Sequence, residues 1–234
     1  MALTATKAPD GQAATAEPVL RARELYRFYH AGDDEVFALR GVSLELYPGE
    51  IVAVVGPSGS GKSTLLACLA GLEDPDGGAV TVAGQRITRA AEPVRAGLRA
   101  RRLGVLLQSG NLLGHLSVVD NVRAAQSLGR GGPDPEELLD RVGLRHRTRA
   151  WPTQLSGGEA ARAGLAVALA NGPAVLLADE PTGETDAGHE AVLLELLRER
   201  AEAGTAVLVV THSGRVADAA DRVLRLVDGR LADD

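Results

Sequence analysis

Cysteine is nearly absent, and long apolar runs and basic excess are missing, from this chain of 234 residues. The single cysteine, Cys68, excludes an internal disulfide. It lies inside the apolar run STLLACLAGL and reads as a small core residue in a reducing compartment. Although 45% of the residues are hydrophobic, no uninterrupted run approaches the roughly 18 residues that a membrane-spanning helix needs. The chain is therefore expected to be soluble on its own. A formal net charge of −6 argues against bulk nucleic-acid binding, and the local group Arg99, Arg101 and Arg102 reads as a solvated face. The opening MALTATKAPDGQAATAEP lacks the basic start and apolar stretch of a secretory signal. Its Ala, Thr, Pro and Gly bias predicts a flexible tail over residues 1–18, outside the fold.

What is present is a set of short aliphatic runs: IVAVV (51–55), AVLLAD (174–179) and AVLVVTH (206–212). Each is apolar throughout, as a strand buried on both faces must be, and helical patterns separate them. A parallel α/β core follows. Residues 19–48 and 79–88 instead hold alternating segments such as VSLEL and AVTVAGQRI, which predict a small N-terminal antiparallel sheet. Between about 110 and 160 the pattern is helical, an insertion subdomain. There DPEELLDRV offers Asp134 as N-cap, Pro135 at the first helical position and Glu137 to complete a capping arrangement. Near the end, Asp228-Gly229 between apolar runs predicts a hairpin turn.

GPSGSGKST, residues 56–64, fits the Walker A pattern directly after a strand and at the head of a helix. Gly56, Gly59 and Gly61 allow the backbone to close around phosphates, and Pro57, Ser58, Ser60 and Thr64 complete the loop. Lys62 supplies a positive charge to the β and γ phosphates of ATP, and the Ser63 hydroxyl is a ligand for Mg²⁺. AVLLAD ends in Asp179-Glu180, a Walker B pattern at the carboxyl end of a buried strand beside the phosphate loop of its neighbour. Asp179 suits Mg²⁺, and Glu180 is placed to orient or deprotonate the attacking water.

A second Ser/Gly stretch, LSGGE at 155–159, stands at the head of another helix, where free amides and the helix dipole attract a phosphate. Tyr29, the Walker A loop, Gln108, LSGGE, LLADEP, TGETD and Thr211-His212 together resemble the ATP-binding cassette (ABC) ATPases over about residues 19–230. No guanine-reading N-K-x-D motif is present. The resemblance implies a P-loop NTPase fold and ATP hydrolysis. It also implies that Tyr29 stacks on adenine, that Gln108 senses Mg²⁺ and water, and that His212 contacts the γ-phosphate. Ser156, Gly157, Gly158 and Glu159 are implied to face the ATP of a second, head-to-tail copy, with Asp186 coupling the two sites.

The runs VFALRGVSLELYPGE, QSGNLLGHLSVVDNV and DEPTGETD are similar to the branch serving lipoprotein release, macrolide export and cell division. That branch implies a separately encoded membrane permease, a peripheral place on the inner face of the cell membrane, and export or extraction of a lipophilic substrate or lipoprotein. Mechanical control of cell-wall enzymes is the alternative; a soluble ABC ATPase on nucleic acid or ribosomes is less favoured, lacking tandem cassettes or zinc-binding cysteines. Leu107, Gly114 and Thr185 depart from the usual pattern without removing a catalytic group. His115 and Trp151 are expected to pack or to line the permease face.

Overall fold

The computed structural model describes residues 17–31, 34–182 and 187–232. Strands β1 (Leu20–Ala31), β2 (Asp34–Leu46), β4 (Gly77–Val82) and β5 (Gln85–Arg86) form an antiparallel sheet in the order β2-β1-β4-β5. This is the predicted N-terminal sheet. β3 (Ile51–Val55), β6 (Leu103–Leu106), β7 (Val175–Asp179), β8 (Ala206–Val210), β9 (Arg222–Val227) and β10 (Arg230–Leu231) form the second sheet, in the order β10-β9-β3-β8-β7-β6. Every pairing in it is parallel except β9 with β10.

The three aliphatic runs are β3, β7 and β8, but they are not ordered as the sequence suggested. β8 lies between β3 and β7, so the strand carrying Asp179 is not the neighbour of the strand carrying the phosphate loop. β6 and β9 complete the parallel set; LGVL is too short, and β9 too exposed in alternation, to stand out as buried strands.

Helix α1 (Lys62–Leu69) packs between the two sheets with Leu65, Leu66, Cys68 and Leu69 buried. On the far face of the parallel sheet, α3 (Val118–Leu128), α4 (Pro135–Arg141), α5 (Gly157–Leu169) and α6 (Ala187–Glu202) cover a second core. α3, α4 and the start of α5 fall in the segment read as a helical insertion. Asp134 caps α4 by accepting from the amides of Glu136 and Glu137. Glu137 does not complete the arrangement: the reciprocal cap forms instead at α5, where the sequence also reads Ser-x-x-Glu.

Helix α2 (Glu92–Arg102) carries Arg99, Arg101 and Arg102 in its last turn, where they complement the helix dipole. Arg99 is also engaged by Glu92 and by the carbonyl of Gly71, while Arg101 and Arg102 are exposed, as the solvated-face reading expects. A short helix α7 (Gly214–Asp218) follows β8. The Asp228-Gly229 turn joins β9 to β10 with φ of 47° and 74°, the left-handed pair that a two-residue hairpin of this twist requires.

Candidate functional site

The carboxyl ends of β3, β8, β7 and β6 lie side by side, and each delivers one predicted residue or loop. β3 delivers the phosphate loop, β8 delivers His212, β7 delivers Asp179 and Glu180, and β6 delivers Gln108. In an open parallel sheet this edge is where ligands bind.

The phosphate loop is exposed at Pro57, Ser58 and Gly59 and buried at Ser60. Gly61 caps α1 at φ 100°, and α1 has no side-chain cap and no acidic residue in its first turn, so its amides face outward uncompensated. Lys62 Nζ donates to the carbonyls of Gly56 and Pro57, both at 2.9 Å. Two of the loop glycines are required by the chain itself: a Cβ on Gly56 would lie 2.0 Å from the Leu226 carbonyl, and one on Gly61 2.1 Å from the Ala38 carbonyl. Gly59 has open space around it and is needed for its φ of 77°.

Across the edge, the Ser63 hydroxyl hydrogen-bonds Asp179, although a strand intervenes between their parent strands. Burial pushes the Asp179 carboxyl above its ordinary range, against the opposing pull of that hydrogen bond. Its Oδ1 is buried with no hydrogen-bond partner. Glu180 follows in the left-handed region at φ 45°, a conformation that costs a non-glycine residue about 1 kcal/mol or more and that clusters at functional sites. Its Oε1 lies 2.9 Å from His212 Nδ1, and its Oε2 accepts from the His212 amide at 3.3 Å.

Gln108 and Glu180 line a cleft of about 270 Å³, together with Leu107, Gly157 and Pro181. Tyr29 is half-buried; its hydroxyl donates to Glu73 at 2.6 Å, and the Arg27 guanidinium stands 4.7 Å from its ring centroid. Asp186 and Thr185 lie outside the described residues.

At the head of α5, Ser156 Oγ accepts from the Glu159 amide, and Glu159 Oε2 accepts from the Ser156 amide at 2.9 Å. Glu159 is buried, and its other oxygen accepts from Arg147 Nε at 2.8 Å. The backbone bond to Ser156 and the Arg147 guanidinium hold its carboxyl down to about 2. The carboxylate is thus turned into its own helix cap, while the first-turn amides of Gly157 and Gly158 remain without intrahelical acceptors. Arg147 was not singled out by the sequence, because nothing in its own neighbourhood marks it; only the fold brings it to Glu159.

The ABC transporter family model matches residues 39–183. Over 221 residues the chain is 43% identical to the lipoprotein-releasing system ATP-binding protein LolD of Pseudomonas syringae pv. tomato, covering 92% of this chain and 97% of LolD. It is 40% identical over 223 residues to the macrolide export ATP-binding/permease protein MacB of Escherichia coli K12, covering 92% of this chain but 34% of MacB. The dimeric structure of the bacterial ABC transporter cassette MJ0796 superposes with a TM-score of 0.85 at 31% identity, over 92% of this chain and 97% of that one. A post-hydrolysis state of the same cassette, bound to ADP and Pi, fits equally well. With phosphate loop, buried acidic strand end and Glu–His pair on one sheet edge, the chain belongs to the ABC transporter family as an ATP-hydrolysing cassette.

Proposed function

We propose that two copies of this chain pair head to tail around two ATP molecules and drive a separately encoded membrane permease that exports or extracts a lipophilic substrate or a lipoprotein. The observation that carries this reading is the likeness to LolD, 43% identical over 221 residues and 97% of its length. Among the described residues no helix is long and apolar enough to cross a membrane. Peripheral attachment to the inner face of the membrane, through the permease, accords with that.

Asp179 and Ser63 suit Mg²⁺. The pair offers hard oxygen donors, and the buried, unpartnered Asp179 Oδ1 is a site that a small cation satisfies. When bound, Mg²⁺ neutralises charge on the phosphates. Gln108, on the cleft it shares with Glu180, is the further residue that reaches toward the metal and the water.

The remaining work falls to the chain. Lys62 exchanges the carbonyls of Gly56 and Pro57 for phosphate oxygens, joined by the amides of Gly59 to Thr64. Tyr29 packs against the base. Glu180 takes the proton of the attacking water, and His212, largely exposed beside it, holds that carboxylate and reaches the γ-phosphate. Ser156, Gly157 and Gly158 receive the γ-phosphate of the partner copy, while Glu159 shapes the cap that presents them and Asp186 couples the sites. In support, no hydrogen bond joins Ser156 to residues 56–64 of its own chain among the described residues. Contact with the γ-phosphate favours the closed pair and is lost after hydrolysis, which turns differential affinity into movement.

Co-expression with a candidate permease of the LolD-associated or MacB-like kind tests the assignment. The chain is expected to co-purify with that membrane protein and, as Glu180→Gln with ATP, to sediment as a pair. A Glu180→Gln chain that stays single with saturating ATP and the permease present overturns the pairing. Vesicles that hydrolyse ATP without moving substrate favour the mechanical control of cell-wall enzymes instead.

A further inference from the structure

The phosphate loop is braced from the far end of the chain, and we propose that the β9–β10 hairpin, acting through Gly229, is a positioning element for nucleotide binding. The hairpin lies beyond residues 39–183, the stretch matched by the family model. The proposal uses only the ATP-binding activity and not the pairing of two chains.

A loop that binds phosphate through amides must present them in one fixed arrangement before the ligand arrives, or part of the binding energy is lost in ordering it. Residues 56–61 have little of their own to hold that shape. Ser60 donates its amide to the Pro57 carbonyl at 3.2 Å, and its buried hydroxyl has no partner. Lys62 is bound to the Gly56 and Pro57 carbonyls, but those are bonds it must give up to a phosphate.

The bracing comes from two other strands. The Gly229 amide donates to the Ser60 carbonyl at 3.1 Å, and the Gly229 carbonyl accepts from the Arg40 amide at 2.8 Å. The turn is thereby fastened to β2 on one side and to the loop on the other. Just before it, the Leu226 carbonyl abuts Gly56 so closely that no Cβ fits. On the β2 side the Ala38 carbonyl abuts Gly61 in the same way, and also limits Gly229, where an added Cβ would lie 2.8 Å away. Both ends of the loop are therefore set by backbone contacts with β2 and the hairpin, and β9 is itself registered to β3 by the pairs Val54 with Leu224 and Val55 with Arg225. Gly229 touches no phosphate; its influence runs through Ser60.

The test is calorimetric binding of MgADP to the full chain. Gly229→Ala places a Cβ against the Ala38 carbonyl at a positive φ and moves the turn off Ser60, and is expected to weaken MgADP about tenfold, the scale of one hydrogen bond. Inserting one glycine after Gly229 lengthens the turn without adding a Cβ and is expected to do the same. Asp228→Asn keeps the left-handed turn and should retain the parent affinity. In steady state both disruptive variants should raise KM for ATP while kcat stays within about twofold, a split that general destabilisation does not produce. Parent-like MgADP affinity in both overturns the proposal. Should the variants fail to fold, amide hydrogen exchange of the parent decides: the Gly229 amide must be protected and become more so with MgADP, and exchange indifferent to nucleotide also overturns it.

Discussion

His212 Nδ1 and Glu180 Oε1 stand 2.9 Å apart, joining the ends of two adjacent parallel strands by a side-chain contact. The Glu180 side chain is 15% exposed and that of His212 74% exposed, so the pair has a sheltered carboxylate and an imidazole that faces outward. The two are expected to act as one unit. Glu180→Gln should bind ATP and lose hydrolysis by about 10²-fold to 10⁴-fold, the range of general-base catalysis. His212→Ala should also lose turnover, and the double variant should be no slower than Glu180→Gln. Multiplying losses in single-turnover assays would show that the two act separately.

Asp179 illustrates a site that sacrifices stability for function. Its buried Oδ1 has no partner and burial raises its carboxyl despite the Ser63 hydrogen bond, so Asp179→Asn should melt higher than the parent in nucleotide-free, metal-free buffer, by a few degrees, because an incompletely compensated buried charge is removed. The same variant should lose ATP hydrolysis, as the parent should on chelation of Mg²⁺. Thermal melts with and without Mg²⁺ check this: a variant that melts lower than the metal-free parent contradicts it.

The cap of α5 predicts a pH dependence. Glu159 faces the Ser156 amide, Arg147 and, at 3.6 Å, His146, and its carboxyl lies at about 2, below the ordinary 4.5. A depressed carboxyl contributes stability that is present in full above about pH 4.5 and is lost as pH falls through about 2. Parent and Glu159→Ala should therefore differ most in melting temperature near neutral pH and converge below about pH 4.5. A difference that stays constant down to the acid limit would show that the charge does not matter.

Cys68 should be inert in the folded chain. It is 1% exposed, and burial pushes its thiol up to about 12, so almost no thiolate is present at neutral pH. Iodoacetamide should leave it unmodified until the chain is unfolded in denaturant, which mass spectrometry reads directly. Rapid native alkylation would place the α1 core in exchange with open forms.

The sequence by itself determined the local chemistry. The aliphatic runs of β3, β7 and β8, the glycines of the phosphate loop, Asp134 as a cap and Asp228-Gly229 as a turn each follow from residues close together in the chain, and backbone sterics or side-chain periodicity suffices to read them. Ser156-x-x-Glu159 is equally legible as a reciprocal cap. Only the tertiary structure decided which strands are neighbours. Strands buried on both faces carry the same kind of apolar run, so nothing in β3, β7 or β8 says that β8 lies in the middle. That placement brings His212 to Glu180. The Arg147 contact with Glu159 and the Gly229 grip on Ser60 have the same origin: they join distant segments through packing geometry, which no periodicity encodes.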